Sequence, residues 1–350
     1  MAYAAITKPS LHFNTKLYTG NGGTNAQTGV GFQPDLIWTK NRSSSQNHLL
    51  YDAIRGIGYY LYPNLTNAQG GSGSPSTTLV SFDSDGFTLG SGDDSNVNGE
   101  NGVAWSWKAA NSSGSSNSDG SITSTVSANT TAKFSIVKWD TNGSAHTVGH
   151  GLGTTPQVII ARPLHESNNW VVYHHKNTSS PETDYLSLDN TGATGDYPIW
   201  NDTAPTNSVF SWGAWSGNDA GGSVIAYCFA EIKGYSKFGK YIGNGNVDGT
   251  FVYTGFSPAF VMTKRTDSAS DWLICDNKRP GYNVVNKKLF PNGTSAEDSY
   301  DSFDFLSSGF KIRSSGSGHN ASGGTFIYMA FAAEPFVANV GSNGIPATAE

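Results

Sequence analysis

One order of landmarks runs through this 350-residue chain three times, so any fold it adopts has to satisfy that order three times over. An aromatic residue and an Asn-Gly pair come first, as Tyr18 to Gly22, Trp139 to Gly143 and Tyr241 to Gly245. Asn-Gly suits the positive φ of a tight hairpin turn. A Gly and a Pro then lead an apolar run that ends in a cation: GFQPDLIWTK (31–40), HGLGTTPQVIIAR (150–162) and GFSPAFVMTK (255–264). Next come HLLYDAIR (48–55), NWVVYHHK (169–176) and DWLICDNKR (271–279). A turn with a Phe-led strand follows in FDSDGFTLG (82–90) and FLSSGFKIR (305–313), degenerate in the middle copy as TNSVFSWG (206–213). Each copy closes after Gly-rich sequence with NGVAWSWKAA (101–110), GGSVIAYCFAEI (221–232) or GGTFIYMAFAAEPF (323–336).

Proline cannot donate to a ladder, so Pro34, Pro156 and Pro258 are expected at strand starts, and the apolar runs behind them read as buried strands. Short strands with turn signals between them, in units of about 100 residues, predict β-sandwiches; propeller blades would recur every ~40–50 residues. The expectation is therefore an all-β chain of three tandem, jelly-roll-like sandwiches. The boundaries are an N-terminal arm (1–16), sandwiches at 17–110, 134–234 and 235–336, a Ser/Thr/Asn/Gly-rich linker (111–133) and a C-terminal tail (337–350). Helix should be scarce, with 51–57 the best short candidate.

Charged residues are only 14% of the chain, against roughly 25% in an average soluble domain, and polarity comes from Ser, Thr, Asn and Gly. A net charge of −6 argues against nucleic acid or an anionic membrane as partner. No apolar run approaches the ~20 residues of a membrane span, and the N-terminus lacks the pattern of a signal peptide. Two cysteines, Cys228 and Cys275, cannot build a disulfide framework and read as small buried hydrophobes.

In the same order the chain carries GFQPDLIWTKNRSSSQNHLLYD, SFDSDGFTLGS, FSIVKWDTNGSAHTVGHGLGTTPQVIIARP, CFAEIKGYSKFGKYIGNGNVDGTFVYTGFSPAFVMTKRTD and IYMAFAAEPF. With these phrases, over residues 8–336, it resembles virion structural proteins of marine bacteriophages, described as tail-fibre or tail-spike proteins. The resemblance implies a protein of the phage particle, assembled in the host cytoplasm, a homotrimer, bound to other virion proteins and contacting host surface polysaccharide. The alternative is a capsid-decoration or connector protein that binds virion proteins alone.

The residues suggest binding rather than reaction. No GxSxG elbow or carboxylate pair stands out, so no catalytic residue, cofactor or metal is expected. His146, His150, His165, His174 and His175 fall in one copy and could ligate a metal, but their turn and strand positions favour ordinary structural histidines. Asp83-Ser84-Asp85-Gly86 opens like a calcium loop, to which Asp93 and Asp94 could add oxygens; yet what persists between copies is Ser-x-Gly-Phe, which is turn geometry. Asp52 and Arg55 recur as Asp276 and Arg279, either as a structural salt bridge or as a basic rim for acidic polysaccharide. Aromatic residues in loops, Tyr59, Tyr60, Tyr62, Trp200, Trp212 and Trp215, are the carbohydrate-stacking candidates, the alternative being that they cap small cores.

Overall fold

The computed structural model describes residues 5–73 and 75–335; the tail expected at 337–350 lies outside them. Among these residues almost all regular structure is antiparallel strand, and the helices are single turns such as Asp93–Asn96 and Ser317–Asn320. No helix is long and apolar enough to cross a membrane. Residues 51–57 are the end of a strand and a turn, because Asp52 and Arg55 pair with each other across that turn.

The three repeats share one sheet order. In the first, the strands Phe13–Thr19, Asn101–Trp107, Leu36–Asn41 and His48–Asp52 lie side by side in that order. The second aligns Phe134–Asp140, Ser223–Phe229, Val158–Pro163 and Val171–His174, and the third Ser236–Ile242, Thr325–Pro335, Phe256–Arg265 and Leu273–Asp276. A smaller outer sheet covers one face of each: Asn25–Thr28 with Gly86–Leu89 and Leu79–Asp83 in the first repeat, His146–Gly149 with Val209–Trp212 in the second, and a four-stranded sheet starting at Phe251–Tyr253 in the third. Each repeat is thus a sandwich with its own core between its sheets.

The Asn-Gly turns form as expected, with φ of +66°, +79° and +69° at Gly22, Gly143 and Gly245. Behind each stands an asparagine near the end of the repeat. Asn96 donates to the carbonyls of Gly23 and Gly90 (both 2.7 Å), Asn320 to those of Asn246 (2.7 Å) and Ser314 (2.6 Å), and Asn218 to those of Ser144 and Gly213 (both 2.8 Å).

Three expectations need correction. The stretch 111–133 is no spacer: Ser115–Asn117 and Ser124–Asn129 add two strands to the free edge of the second inner sheet, Ser124–Asn129 pairing along the whole of Phe134–Asp140 short of its last residue. Ser and Thr carry no apolar signal, but their backbone groups pair as well as any. The described part of the arm, 5–16, belongs to the first repeat, since its inner sheet begins at Phe13 and Ile6 joins the core shared by the repeats. Pro258 also differs from Pro34 and Pro156: it lies within its strand, at an irregularity where the register shifts and no ladder donor is needed.

The sandwiches are not beads on a string. The inner sheets are apolar on both faces, and the faces turned away from the outer sheets pack on one another in one core drawn from all three repeats. Trp38, Ile160 and Met262 enter it, while their neighbours Ile37, Ile159 and Val261 enter the separate sandwich cores. Trp107, Phe229 and Phe331 occupy the same register position in their repeats, opposite Leu36, Val158 and Phe260. These three equivalent rings touch pairwise, at 6.3, 6.0 and 5.8 Å between centroids, so the repeats close a ring about a pseudo-threefold axis.

Phe260 packs there on Phe13, Trp105, Trp107 and Phe331. Phe260→Ala is expected to cost about 3–5 kcal/mol and to lower a single unfolding transition of the whole chain. Urea titrations followed by both tryptophan fluorescence and far-UV circular dichroism test this; early unfolding of the third repeat alone would show independent domains.

Candidate functional site

The cation that ends each proline-led run is buried, whether Lys40, Arg162 or Lys264. A buried cation is tolerated only with its donors matched. Each finds carbonyls on the preceding repeat of the ring. Lys40 Nζ donates to Asn41 (2.7 Å) and to Thr294 of the third repeat (3.0 Å). Arg162 donates to Leu65 (3.3 Å), Thr66 (2.5 Å) and Asn67 of the first. Lys264 Nζ donates to Ser270 (2.6 Å) and to Thr191 of the second (3.0 Å). Burial pushes both lysines down to about 8 and Arg162 to about 10.

The repeated acid–base pair is a second interlock. Arg55 Nε donates to Asp52 at 2.5 Å and Arg279 Nε to Asp276 at 2.6 Å, with side chains at most 1% exposed, which excludes an exposed basic rim. Burial opposes the charge of both guanidiniums, but the adjacent carboxylates outweigh it and raise them above their ordinary value. Each carboxylate also accepts a bond from the closing strand of the next repeat: Tyr227 Oη to Asp52 (2.8 Å) and Trp105 Nε1 to Asp276 (3.0 Å). In the third closing strand Met329 holds this place and has no proton to give. The residue facing it is accordingly a histidine, His174, whose Nε2 lies 3.2 Å from the Tyr328 carbonyl.

Where the first and second repeats meet, a cleft of 360 Å³ opens, within the usual range for small-ligand sites of roughly 300–1,000 Å³. The first repeat contributes Arg55, Tyr59 and Gln69, and the second Lys138, His165 and Ser223. No carboxylate lines it among the described residues. Lys138 is a third exposed, with Asp140 at 3.7 Å, and it also borders a 410 Å³ hollow faced by Ser115, Ser116 and Thr125. An aromatic ring beside amide, hydroxyl, imidazole and ammonium groups suits a polar ring such as a sugar.

Over residues 8–335 the chain matches a family described as Domain of unknown function (DUF7483). The chain belongs to this family. No curated protein and no solved structure matches it. The DUF7483 unit therefore spans all three repeats and the cleft between the first two.

Of the six aromatic candidates, Tyr59 alone lines this cleft. The chain alternates across the short strand Tyr59–Tyr60, so Tyr60 turns to the first sandwich core and meets Tyr62 edge-on at 5.0 Å. Tyr62 donates to Asp94 at 3.2 Å. Trp200 and Trp212 are buried and cannot stack on a ligand. They fill space that the two-stranded outer sheet of the second repeat leaves uncovered, packing edge-on at 5.8 Å, with half-buried Trp215 on Trp212 at 5.2 Å. Gln69 and Lys138 were missed because nothing local marks them; pairing across repeats brings them together.

Of the five histidines of the second copy, His146, His150, His174 and His175 each lie against a backbone carbonyl. His165, Glu166 and Asp219 are the described group within metal-ligand reach, their ligand atoms within 4.8 Å of one another on the surface. In the first copy Asp85 accepts from the N–H groups of Gly29 (2.9 Å) and Gly31 (2.7 Å), which lowers its pKa, and Asp83 accepts from Thr88 (2.7 Å). These carboxylates thus hold the turn. Both cysteines are buried and unpaired.

Two predictions follow from these buried groups. Asp52→Asn leaves Arg55 without its carboxylate in the interior and is expected to cost about 3–5 kcal/mol in chemical denaturation, whereas removing the exposed Lys138–Asp140 pair costs less than about 1 kcal/mol. On the acid side, burial lowers seven histidines, His12, His48, His146, His150, His174, His175 and His319, with His150 and His319 near 4 and His174 near 3. The unfolded chain takes up their protons below 6.5 while the folded chain does not, so the contribution of these histidines is complete above that pH and stability falls toward pH 4. The expected loss is about 1.4 kcal/mol per pH unit for each histidine still neutral in the fold. Asp35, raised to about 6, and Asp189, also raised by burial, work in the opposite sense but are outnumbered. Urea midpoints measured at pH 7, 5.5 and 4.5 check the slope; a flat profile would refute it.

Proposed function

We propose that this protein is a phage virion structural protein of the tail, a fibre or spike component that contacts host surface polysaccharide through the cleft between its first and second repeats. The observation that carries the reading is that cleft, of ligand size and bordered by Tyr59, Gln69, Lys138, His165 and Ser223. The sequence resemblance to phage tail proteins supports the setting. So does the architecture: antiparallel sandwiches around one core form a rigid, charge-poor body whose recognition groups sit on loops and edges.

Attachment to other virion proteins, or to further copies in a homotrimer, is proposed for the outer sheet of the third repeat. Phe251, Tyr253 and Leu306 are exposed on it, where the first repeat carries Ala26, Thr28 and Asp83 at the matching register positions. A second reading, as a capsid-decoration or connector protein, is favoured by the pseudo-threefold ring itself, which gives one chain three similar faces for a threefold partner site.

The purified protein is expected to compete with phage for adsorption to its host, and Tyr59→Ala to weaken that competition at least tenfold without changing the melting temperature by more than a few degrees. Full adsorption at saturating protein would overturn the tail reading and leave decoration.

A further inference from the structure

The three seams of the ring can be compared position by position. In the seam between the third and first repeats, the backbone N–H of Glu297 donates to the carbonyl of Arg42 at 2.9 Å. The Glu297 carboxylate then accepts from Arg279 Nη1 (3.3 Å) and from Arg42 Nε and Nη2 (2.8 and 2.9 Å). In the seam between the second and third repeats, Thr194 makes the same backbone bond, to Thr266 (2.9 Å), and its hydroxyl donates to Asn177 (2.7 Å), which holds the place of the arginine. Here, then, a neutral pair replaces a charged one.

The seam between the first and second repeats has the charged half alone. Gln69 makes the backbone bond, to Leu164 (2.9 Å), so it stands where Glu297 stands. Arg55 repeats the bonds of Arg279: Nε to its aspartate, and Nη2 to a strand carbonyl at 2.9 Å in both. Its Nη1, however, is buried beside the cleft with no carboxylate partner: the side chain is 1% exposed, and the Tyr227 hydroxyl against it already gives its proton to Asp52. An unmatched guanidinium N–H is costly to bury, and a carboxylate is its best partner. Lys138 adds a cation here, where the register of the first repeat places Leu17.

We infer that this cleft binds a carboxylate-bearing sugar, a hexuronate residue of an acidic polysaccharide, whose carboxylate takes the place at Arg55 and Lys138 that Glu297 takes at Arg279 and Arg42. The Tyr59 ring and the polar groups of Gln69, His165 and Ser223 favour a hydroxylated ring over an acidic peptide. The inference rests on the glycan-binding reading above and names its ligand class.

Calorimetric titration of the full chain at low salt with tetragalacturonate, its methyl ester and tetraglutamate tests it. The acid is expected to bind at least tenfold tighter than the ester, which has the same rings without the charge. Gln69→Glu should supply the carboxylate internally, melt at or above the parent temperature, and weaken tetragalacturonate binding at least tenfold, while Gln69→Ala should still bind. Equal affinity for acid and ester, undetectable binding of the acid at millimolar concentration, or tighter binding of tetraglutamate would each overturn the inference. If Gln69→Glu blocks host adsorption as well as the parent does, the acidic-sugar assignment fails while the tail reading stands. If neither protein blocks adsorption, the tail reading fails, and the titration alone decides the carboxylate site.

Discussion

The structure depends on three inner sheets burying their second faces against one another. A sandwich needs one apolar face per sheet, and the outer sheets already cover that face in each repeat. The second face of every inner sheet is equally apolar and would lie open to water in an isolated repeat. Closing the ring removes it, with Trp107, Phe229 and Phe331 meeting at the centre. This explains why the proline-led and closing strands read as continuous apolar runs rather than as alternating ones.

A purely apolar ring could slip, because dispersion and burial are non-directional. The polar interlocks supply direction. Lys40, Arg162 and Lys264 each reach carbonyls of the preceding repeat, and Asp52, His174 and Asp276 each meet the closing strand of the next. The repeats have changed at these points in matched sets. Where the third closing strand has Met329 instead of a donor, the facing residue is His174 instead of an aspartate, and Asn177 stands where the arginine would be. A lone aspartate or arginine kept there would have been an unmatched buried charge.

The same logic sets the seam of the first and second repeats apart. At this position two seams supply a partner from within, through Glu297 and Thr194, and the seam that supplies none borders the cleft described above. Triplication within a single chain allows this, because each seam can change its residues alone, whereas in a true homotrimer every seam would change together.

Much of this was legible in the residues. The repeat, the all-β class, the Asn-Gly turns and the proline-led strands all follow from local rules about φ, donors and apolar runs. The polar strands within 111–133 were not, because Ser and Thr pair through backbone groups that carry no side-chain signal. Trp200 and Trp212 look like loop aromatics in the sequence, and only the thinness of their outer sheet makes them core.

By itself, then, the sequence determined the unit and its number, since strand, turn and repeat are encoded within windows of a few residues. Tertiary structure alone decided that the units share a core and that Arg55, Gln69 and Lys138 stand at one cleft. The physical reason is distance along the chain: burial of a second sheet face and the matching of a buried cation are settled by residues a hundred positions away, and no local pattern carries that information.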